Sequence, residues 1–457
     1  MKNKEDKMTV NTIADTPATE VEYAAFIALD WADQVHAWAL TANAAGAAVE
    51  EGKLKNTPED MEDWIGNLRK RFAGRPVAVA IEQSRGAVIA MLTKYAHVTI
   101  YPIHPTTLAC YREGFYPSGA KSDPGDTRLQ LELLMKHRDR LSALRPDTVE
   151  TRTLQFLTEQ RRKRVDDKTG FCNELTGWLK QIFPQVLKWF FDVGSPGLEA
   201  FLKTWPTLAA VRRARPATLR AFFEKNTRCD EKEIEDRLAE IKCAVEATTD
   251  QALLQAGELA AAYLLGLIAG LRKTIADLDR VIRETAAKHP DFHIVKSFPG
   301  AGTAMAPRLL AALGTQRDRF GSASDLQCYA GIAPVIASSG QQRWVHWRWA
   351  CSKFVRQTFQ EWAEHSMKKC DWAREFYKKQ RDRGKAHYAA IRSLAFKWLR
   401  VLYRCWKERV PYDEARLLAA IEKRKTKVVD AVNAKSKPVK ILSKKALGFS
   451  KLEAISA

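Results

Sequence analysis

The chain has 457 residues, enough for two to four domains that each bury a hydrophobic core. Its 74 Lys and Arg residues exceed its 54 Asp and Glu residues, and the formal net charge of +20 favours a polyanionic partner such as nucleic acid. The eight cysteines form no C-x-x-C pair, which argues against a zinc or disulfide framework. The most apolar stretch, residues 253–271, contains Gln255 and Glu258, so we expect no membrane span and a cytoplasmic protein.

Residues 1–20 are predicted to form a flexible tail, and residues 21–140 have the pattern of an α/β domain. Thr57 and Pro58 mark a helix start, with Thr57 as the cap and Pro58 at the first helical position. The predicted elements are strands at 23–30, 35–41 and 47–50, a helix from 58, a strand at 77–81, a helix at 87–95 and a strand at 98–103. This order of strands and helices is that of a ribonuclease H-like fold.

Four carboxylates lie at the ends of these predicted elements. Asp30 ends the first apolar strand, and Glu82 ends the apolar run before the second helix. Asp123 and Asp126 lie three apart at the start of a further predicted helix, where helix capping is an alternative role. Strand ends and helix starts can converge on one point, and converging carboxylates bind Mg²⁺. Two such ions about 4 Å apart can bind the attacking and leaving oxygens of a phosphodiester.

Residues 141–290 are predicted to be helical and basic. A positive cluster lies on one helix, where phosphate contact competes with a solvated helix face as its role. Further on, apolar residues recur at spacings of four and three, which predicts a coiled-coil seam. The seam can pack within one subunit or between two, and its length favours self-association as a dimer or tetramer. The cluster comprises Arg161, Arg162, Lys163 and Arg164, and the seam comprises Leu264, Ile268, Leu271, Ile275, Leu278 and Ile282.

Residues 291–420 form a second block, which a lysine-rich tail follows at 421–457. A P-G-x-G turn with Gly300 and Gly302 resembles a helix-hairpin-helix, whose glycines let backbone N–H groups approach a phosphate; a plain interhelical turn is the alternative. After a Ser338-Ser339-Gly340 segment, the chain is predicted to be helical and rich in Trp and Arg, which suits base stacking and phosphate binding. Candidate phosphate contacts are Arg343, Arg348, Lys353, Arg356 and Lys385, and the candidate proton carriers are His346 and His387, for which a structural role is the alternative.

Together these residues resemble the DEDD transposases of bacterial insertion sequences, the bridge-RNA-guided serine recombinases of insertion-sequence family one-ten. The resemblance covers residues 21–140 and 292–415, and its most specific piece is the K-[ST]-D-x-x-D pattern at 121–126. The P-G-x-G turn, a G-[IL]-x-P segment and an S-G pair follow in order. The resemblance implies an α/β plus α architecture: a RuvC-like nuclease domain, a helical coiled-coil linker and a mainly helical C-terminal serine-recombinase domain.

The resemblance also implies a mechanism and partners. The four carboxylates would bind two Mg²⁺ ions, and a serine beside the glycine would attack DNA. Ser339 is the expected nucleophile, with Ser338 as the alternative, because both precede Gly340. The implied partners are donor and target DNA, a structured guide RNA that pairs with both, and further copies of the chain, acting in the cytoplasm at the bacterial nucleoid.

Two other functions account for parts of the pattern. A Holliday-junction resolvase would use the four carboxylates with water as the nucleophile, which leaves the S-S-G segment unexplained. A nucleic-acid-binding scaffold with an inactive nuclease fold predicts missing carboxylates, whereas all four are present. A transposase that cuts and rejoins DNA accounts for both blocks.

Overall fold

The protein is described by a computed structural model that covers residues 21–43, 47–115, 123–340 and 342–423; the side chains of Asp123 and Pro124 are outside this description. The chain divides into two compact units, Met1–Pro146 and Asp147–Ala457. The first unit is mixed α/β and the second is mainly helical. The predicted tail at 1–20, and all but three residues of the one at 421–457, lie outside the described residues.

One sheet with helices on both faces forms the first unit. Its elements are β1 (Ala25–Asp30), β2 (Val35–Ala42), β3 (Glu50–Lys55), α1 (Pro58–Arg71), β4 (Val77–Ile81), α2 (Ala87–Leu92), β5 (Val98–Pro102), α3 (Pro105–Phe115), α4 (Asp123–His137) and a 3₁₀ turn at Arg138–Arg140. The strand order is β3-β2-β1-β4-β5. β1 pairs antiparallel with β2 and parallel with β4, while β2 and β3 are antiparallel and β4 and β5 are parallel.

The central strands are apolar on both faces because each face is covered by helices. Ile27 and Leu29 of β1 belong to the core that contains Ile65 of α1 and residues of α2. Phe26 and Ala28, which alternate with them, belong to the core on the other face, together with residues of α3 and α4. Even-numbered residues of β1 therefore face α4, since successive residues of a strand point to opposite faces.

The predicted strands of this unit are confirmed except for the third, which lies at Glu50–Lys55 and not at 47–50. Only Leu54 of β3 is buried, so this edge strand lacks the apolar pattern that reveals the others. The helix start is also confirmed: the Thr57 hydroxyl accepts a hydrogen bond from the Asp60 backbone N–H at 3.1 Å, and Pro58 is the first residue of α1. Local cap chemistry thus fixes this boundary.

The second unit contains two hydrophobic cores linked by two long helices. One core surrounds Phe201 and the other surrounds Trp362 and Trp398. Its elements are α5 (Val149–Ile182), α6 (Val186–Trp189), α7 (Pro196–Thr204), α8 (Leu208–Arg213), α9 (Pro216–Asn226), α10 (Glu231–Cys243), α11 (Gln251–Lys288), α12 (Phe292–Lys296), α13 (Met305–Leu313), a 3₁₀ turn at Arg317–Arg319, α14 (Ala323–Tyr329), β6 (Val335–Ser339), β7 (Gln342–His346), α15 (Lys353–Ser366), α16 (Asp371–Asp382) and α17 (His387–Glu408).

The predicted coiled-coil seam packs inside the chain. α11, which carries the seam, lies antiparallel to α5, and Leu264, Ile268 and Ile282 are buried between the helices and their cores. Leu271, Ile275 and Leu278 are half-buried, so the structure shows packing within the chain, while self-association stays a prediction. Among the described residues, α11 is the one helix long and apolar enough to cross a membrane, which is weak evidence because a core helix of a soluble protein passes the same test.

The segment after Ser339 differs from its prediction. Residues beyond Arg343 are predicted to be helical, but Gln342–His346 is the strand β7, and the next helix begins only at Lys353. Gly340 has φ +56°, the left-handed conformation that a tight turn requires and that glycine adopts without strain. The Ser-Gly turn followed by Trp344 and Val345 therefore specifies a hairpin, a signal that the Trp- and Arg-rich composition conceals.

A buried histidine, His289, is expected to make the stability of this unit depend on pH. His289, at the end of α11, accepts a hydrogen bond at Nδ1 from the Asp291 backbone N–H at 3.1 Å. Its Nε2 lies 2.9 Å from the Thr151 hydroxyl oxygen and, with Nδ1 accepting, must carry the single ring proton and donate. Burial lowers the pKa of His289 below its ordinary value. Folding thus favours the neutral form of the ring over the protonated form.

We expect the melting temperature to fall as the pH drops below about 6.5, the pKa of a histidine in an unfolded chain. Below that pH, His289 binds a proton more readily in the unfolded chain than in the folded chain, which favours unfolding. For one proton the slope cannot exceed about 1.4 kcal/mol per pH unit. His289→Asn should cost stability at pH 8 and flatten this acid dependence. Thermal unfolding from pH 5 to 8 measures both, and an unchanged slope in the variant would assign the effect to another group.

Candidate active site

Two carboxylates leave the sheet at the same edge and on the same face. β1 and β4 are parallel neighbours in register, and Asp30 and Glu82 are the next residues after the last pair of that ladder. Ala28 and Ala80, two residues earlier, belong to the core on the α4 face. Continuing the alternation places Asp30 and Glu82 on that face too. Both are half-buried.

A third carboxylate, Asp126, lies on the helix that crosses this face. α4 packs on β1, β2 and β4, and Asp126 is 3% exposed near its start, on the buried side that continues to Leu129 and Leu133. A buried carboxylate needs a compensating partner. Arg112 of α3 provides it, with Nε 2.8 Å and a terminal nitrogen 2.7 Å from the same Asp126 oxygen, Oδ1.

The donor set of this face suits a hard cation such as Mg²⁺, which prefers carboxylate and amide oxygens. Gln130, one helical turn after Asp126, is fully buried, and its amide oxygen and nitrogen have no hydrogen-bond partner among the described residues. Such an unpaired amide is unusual in a folded core, and it puts polar atoms on the same buried side of α4 as Asp126. In the described ranges, no three His, Cys, Asp or Glu side chains are close enough to hold a metal ion. The side chain of Asp123, the fourth predicted ligand, is outside those ranges, so the metal-ligand set stays a prediction.

The two candidate nucleophiles lie side by side near the turn of the β6–β7 hairpin. Ser339 pairs with Gln342, and Ser338 pairs with Arg343. Neighbouring residues of a strand point to opposite faces, so Ser339 shares its face with Gln342 and Trp344, while Ser338 shares the other face with Arg343. Both serines are exposed. The hairpin thus separates the two hydroxyls by face, a distinction that adjacency in the sequence does not give.

Trp347, which follows β7 at the base of this hairpin, is in contact with two arginines. The guanidinium of Arg392 on α17 lies 3.7 Å from the ring centroid of Trp347, and that of Arg356 lies 5.0 Å away. Such cation–π contacts strengthen where the groups lose water. Arg356 also donates to the Arg348 carbonyl at 3.3 Å, and Arg348 donates to the Ala333 carbonyl at 3.4 Å. Arg348 and Arg356, two of the predicted phosphate contacts, therefore make contacts within the protein at the base of the hairpin.

The other basic residues predicted to contact phosphates differ in whether they are exposed or in ion pairs with carboxylates. Arg343 and Lys353 are exposed, and so is Lys163, which leaves their charges available to an anionic partner. The three arginines of the α5 cluster are in ion pairs, so contact with a phosphate would have to compete with a carboxylate. These pairs are Arg161–Asp279 at 2.7 Å, Arg162–Glu361 at 2.9 Å and Arg164–Asp167 at 3.2 Å.

The two glycines of the P-G-x-G turn have different surroundings. Gly300 has φ +76°, and a Cβ there would lie 2.5 Å from the backbone nitrogen of Ser366 at the end of α15. Close packing of the turn on α15 therefore requires glycine at 300 whatever the turn binds. A Cβ at Gly302 would meet no atom within 4 Å, so that backbone is open to approach.

Both candidate histidines have structural partners. His387 places Nδ1 2.8 Å from the Tyr377 hydroxyl, and His346 places Nδ1 3.0 Å from the Trp347 carbonyl oxygen. Arg112, in contrast, has no sequence motif that marks it, and only the packing of α3 on α4 reveals its pairing with Asp126. An arginine on the helix preceding the K-S-D-P-G-D segment is the one signal that could have suggested it.

Comparison with known proteins matches two blocks of the chain, which overlap the blocks of the sequence resemblance but have different bounds. A family model for the transposases of the IS110 DEDD type matches residues 27–184, and a model described as transposase of the IS116/IS110/IS902 family matches residues 292–378. The chain is 28% identical to the candidate mini-circle transposase for IS117 of Streptomyces coelicolor, across 87% of this chain and 97% of that protein. It is 26% identical to an uncharacterized protein of insertion element IS116 of Streptomyces clavuligerus (80% and 91% covered) and 24% identical to one of IS110 of Streptomyces coelicolor (83% and 93% covered).

These matches define an enzyme that cuts and rejoins DNA, a transposase. The chain belongs to the IS110 family of insertion-sequence transposases, which confirms the resemblance that its motifs indicate. All four candidate carboxylates fall within the first match and Ser339 falls within the second, whereas residues 185–291 lie between the matches.

Proposed function

We propose that the first unit is a RuvC-like, ribonuclease H-like nuclease whose carboxylates Asp30, Glu82, Asp123 and Asp126 bind Mg²⁺, with two ions in the complete site. The observation that carries this proposal is the register of β1 and β4, which brings Asp30 and Glu82 to one edge and face of the sheet, under the helix that buries Asp126. When bound, the ions would neutralise charge on the scissile phosphate and on the leaving oxygen.

We further propose Ser339 as the nucleophile. Its hydroxyl oxygen forms a bond to phosphorus while the bond from phosphorus to one deoxyribose oxygen breaks; the hydroxyl proton passes to a base, and the released oxygen takes up a proton. The product is a phosphoserine link that keeps the energy of the broken phosphodiester, so rejoining to a new strand needs no ATP. The exposure of Ser339 beside a tight turn supports this role, because a DNA phosphate can reach the hydroxyl.

The proposed partners follow from charge and from the family. Donor and target DNA are the substrates, and a structured guide RNA pairs with both, so that base pairing selects the sequence and the protein binds backbone and shape. The net charge of +20 and the exposed Arg343, Lys353 and Lys163 support contact with phosphates. We propose that the enzyme acts as a dimer or tetramer at the bacterial nucleoid, since recombination joins two duplexes.

The experiment that tests this function traps the covalent intermediate. The full chain, co-expressed with the non-coding RNA flanking its gene, is mixed with labelled donor and target DNA, with Mg²⁺ or with EDTA, and then denatured. We expect a protein–DNA adduct that requires the RNA, both DNAs and Mg²⁺. Adduct without the RNA would remove the guide from the proposal, and cleavage without any adduct would favour the resolvase alternative, with water as nucleophile.

A further inference from the structure

Arg112 forms an ion pair with Asp126, one of the proposed metal ligands. Both hydrogen-bonding nitrogens of the guanidinium donate to one carboxylate oxygen, at 2.7 and 2.8 Å. The side chains are 18% and 5% exposed, so the contact is shielded from water and from salt. A charge-assisted, partly buried pair of this kind is stronger than a surface ion pair.

The carboxylate that Arg112 holds is one of the proposed metal ligands. A cation and a guanidinium favour the same negative charge, and each repels the other at short range. Asp126 is only 3% exposed, on the buried side of α4, so bulk water does not solvate its carboxylate when one of them leaves. Among the described residues, Arg112 supplies the charge that balances this carboxylate, and a bound metal ion would balance it as well.

We propose that Arg112 is an exchangeable counter-ion, which balances Asp126 in the metal-free protein and which Mg²⁺ must displace to complete the site. Arg112 is thus a positioning residue that sets how much Mg²⁺ the enzyme needs, and the inference rests on the proposed carboxylate site. At low Mg²⁺ concentration the guanidinium remains paired with Asp126, so the metal site is incomplete and strand cleavage is slow. The opposite arrangement, in which Arg112 orients Asp126 toward the metal and strengthens binding, predicts the reverse effect of its removal.

The test measures metal-dependent melting of the full-length protein, without DNA, in Mg²⁺ and Mn²⁺ titrations. Arg112→Met should melt lower than wild type in EDTA, because Asp126 is left buried without a partner. The metal concentration for half of the stabilisation should fall by about tenfold, because no guanidinium competes. Arg112→Lys, which keeps the charge but not the paired nitrogens, should lie between the two and provides a folded variant if the methionine change is too destabilising.

Arg128→Met is the matched control. Arg128 lies two residues beyond Asp126 on α4, but it is exposed and pairs with Glu51. Its removal deletes one positive charge, as Arg112→Met does, but from a side chain whose ion pair is with Glu51 and not with Asp126, so we expect metal affinity close to that of wild type. An equal gain in both variants would reduce the effect to general electrostatics and would overturn the inference.

Three further outcomes distinguish a failure of this inference from a failure of the proposed carboxylate site on which it rests. Weaker metal binding in Arg112→Met, with wild-type binding intact, would overturn the exchange and make Arg112 an orienting group, while the carboxylate site would stand. Absence of metal-dependent stabilisation in wild type and in every variant would remove the metal site itself. A gain in Arg112→Met that survives in the Arg112→Met, Asp126→Asn double variant would show that the ion binds elsewhere.

Discussion

Replacing Ser339 by alanine is expected to abolish the covalent protein–DNA adduct, lowering its yield by at least about 10³-fold, because the phosphoserine bond needs that hydroxyl. Ser338→Ala should keep most of the yield, since Ser338 points to the opposite face of the hairpin. Denaturing gels measure the adduct, and mass spectrometry of the DNA-linked peptide identifies which of the two adjacent serines carries the phosphate.

The pair of variants is well matched. Both serines are exposed and lie on the same strand, so neither substitution should change the free energy of unfolding by more than about 0.5 kcal/mol. Loss of adduct therefore reports chemistry and not folding. Adduct that persists in Ser339→Ala and disappears in Ser338→Ala would move the nucleophile by one residue and onto the face of Arg343.

The sheet of the first unit could be predicted because its central strands are buried on both faces. β1 and β4 are continuous apolar runs between turn signals, and their ends fix the positions of Asp30 and Glu82. The sequence does not locate β3, because an edge strand with one buried residue has no such run. Nor does it reveal β7, because all five residues of that strand are exposed and no burial pattern marks it.

The candidate site could be predicted only in part. Carboxylates at strand ends are visible in the sequence, because a strand's end is a local property. Contacts between distant residues are not: Arg392 of α17 lies over Trp347, which follows β7, and Arg112 pairs with Asp126 only because α3 packs on α4. The heptad seam shows the same limit, since its spacing is identical whether the partner helix is in the same chain or in another.

Conversion of Glu82 to glutamine is expected to reduce Mg²⁺-dependent strand cleavage by at least about 10³-fold while leaving the fold intact. The change keeps the size of a half-buried side chain at the end of β4 and removes the charge that the proposed Mg²⁺ site needs. Cleavage of labelled DNA across a Mg²⁺ titration, with melting temperature recorded in parallel, measures both properties.

Asp33→Asn is the control for Glu82→Gln, because Asp33 is an exposed carboxylate just beyond β1 that lies outside the proposed ligand set. It should cleave at the wild-type rate with the wild-type Mg²⁺ requirement. Asp126→Asn should lose cleavage as Glu82→Gln does, but it should also melt lower, since it removes the partner of a largely buried Arg112. Glu82 therefore gives the cleaner test: a Glu82→Gln protein that cuts DNA with unchanged Mg²⁺ dependence would contradict the metal site at this edge of the sheet.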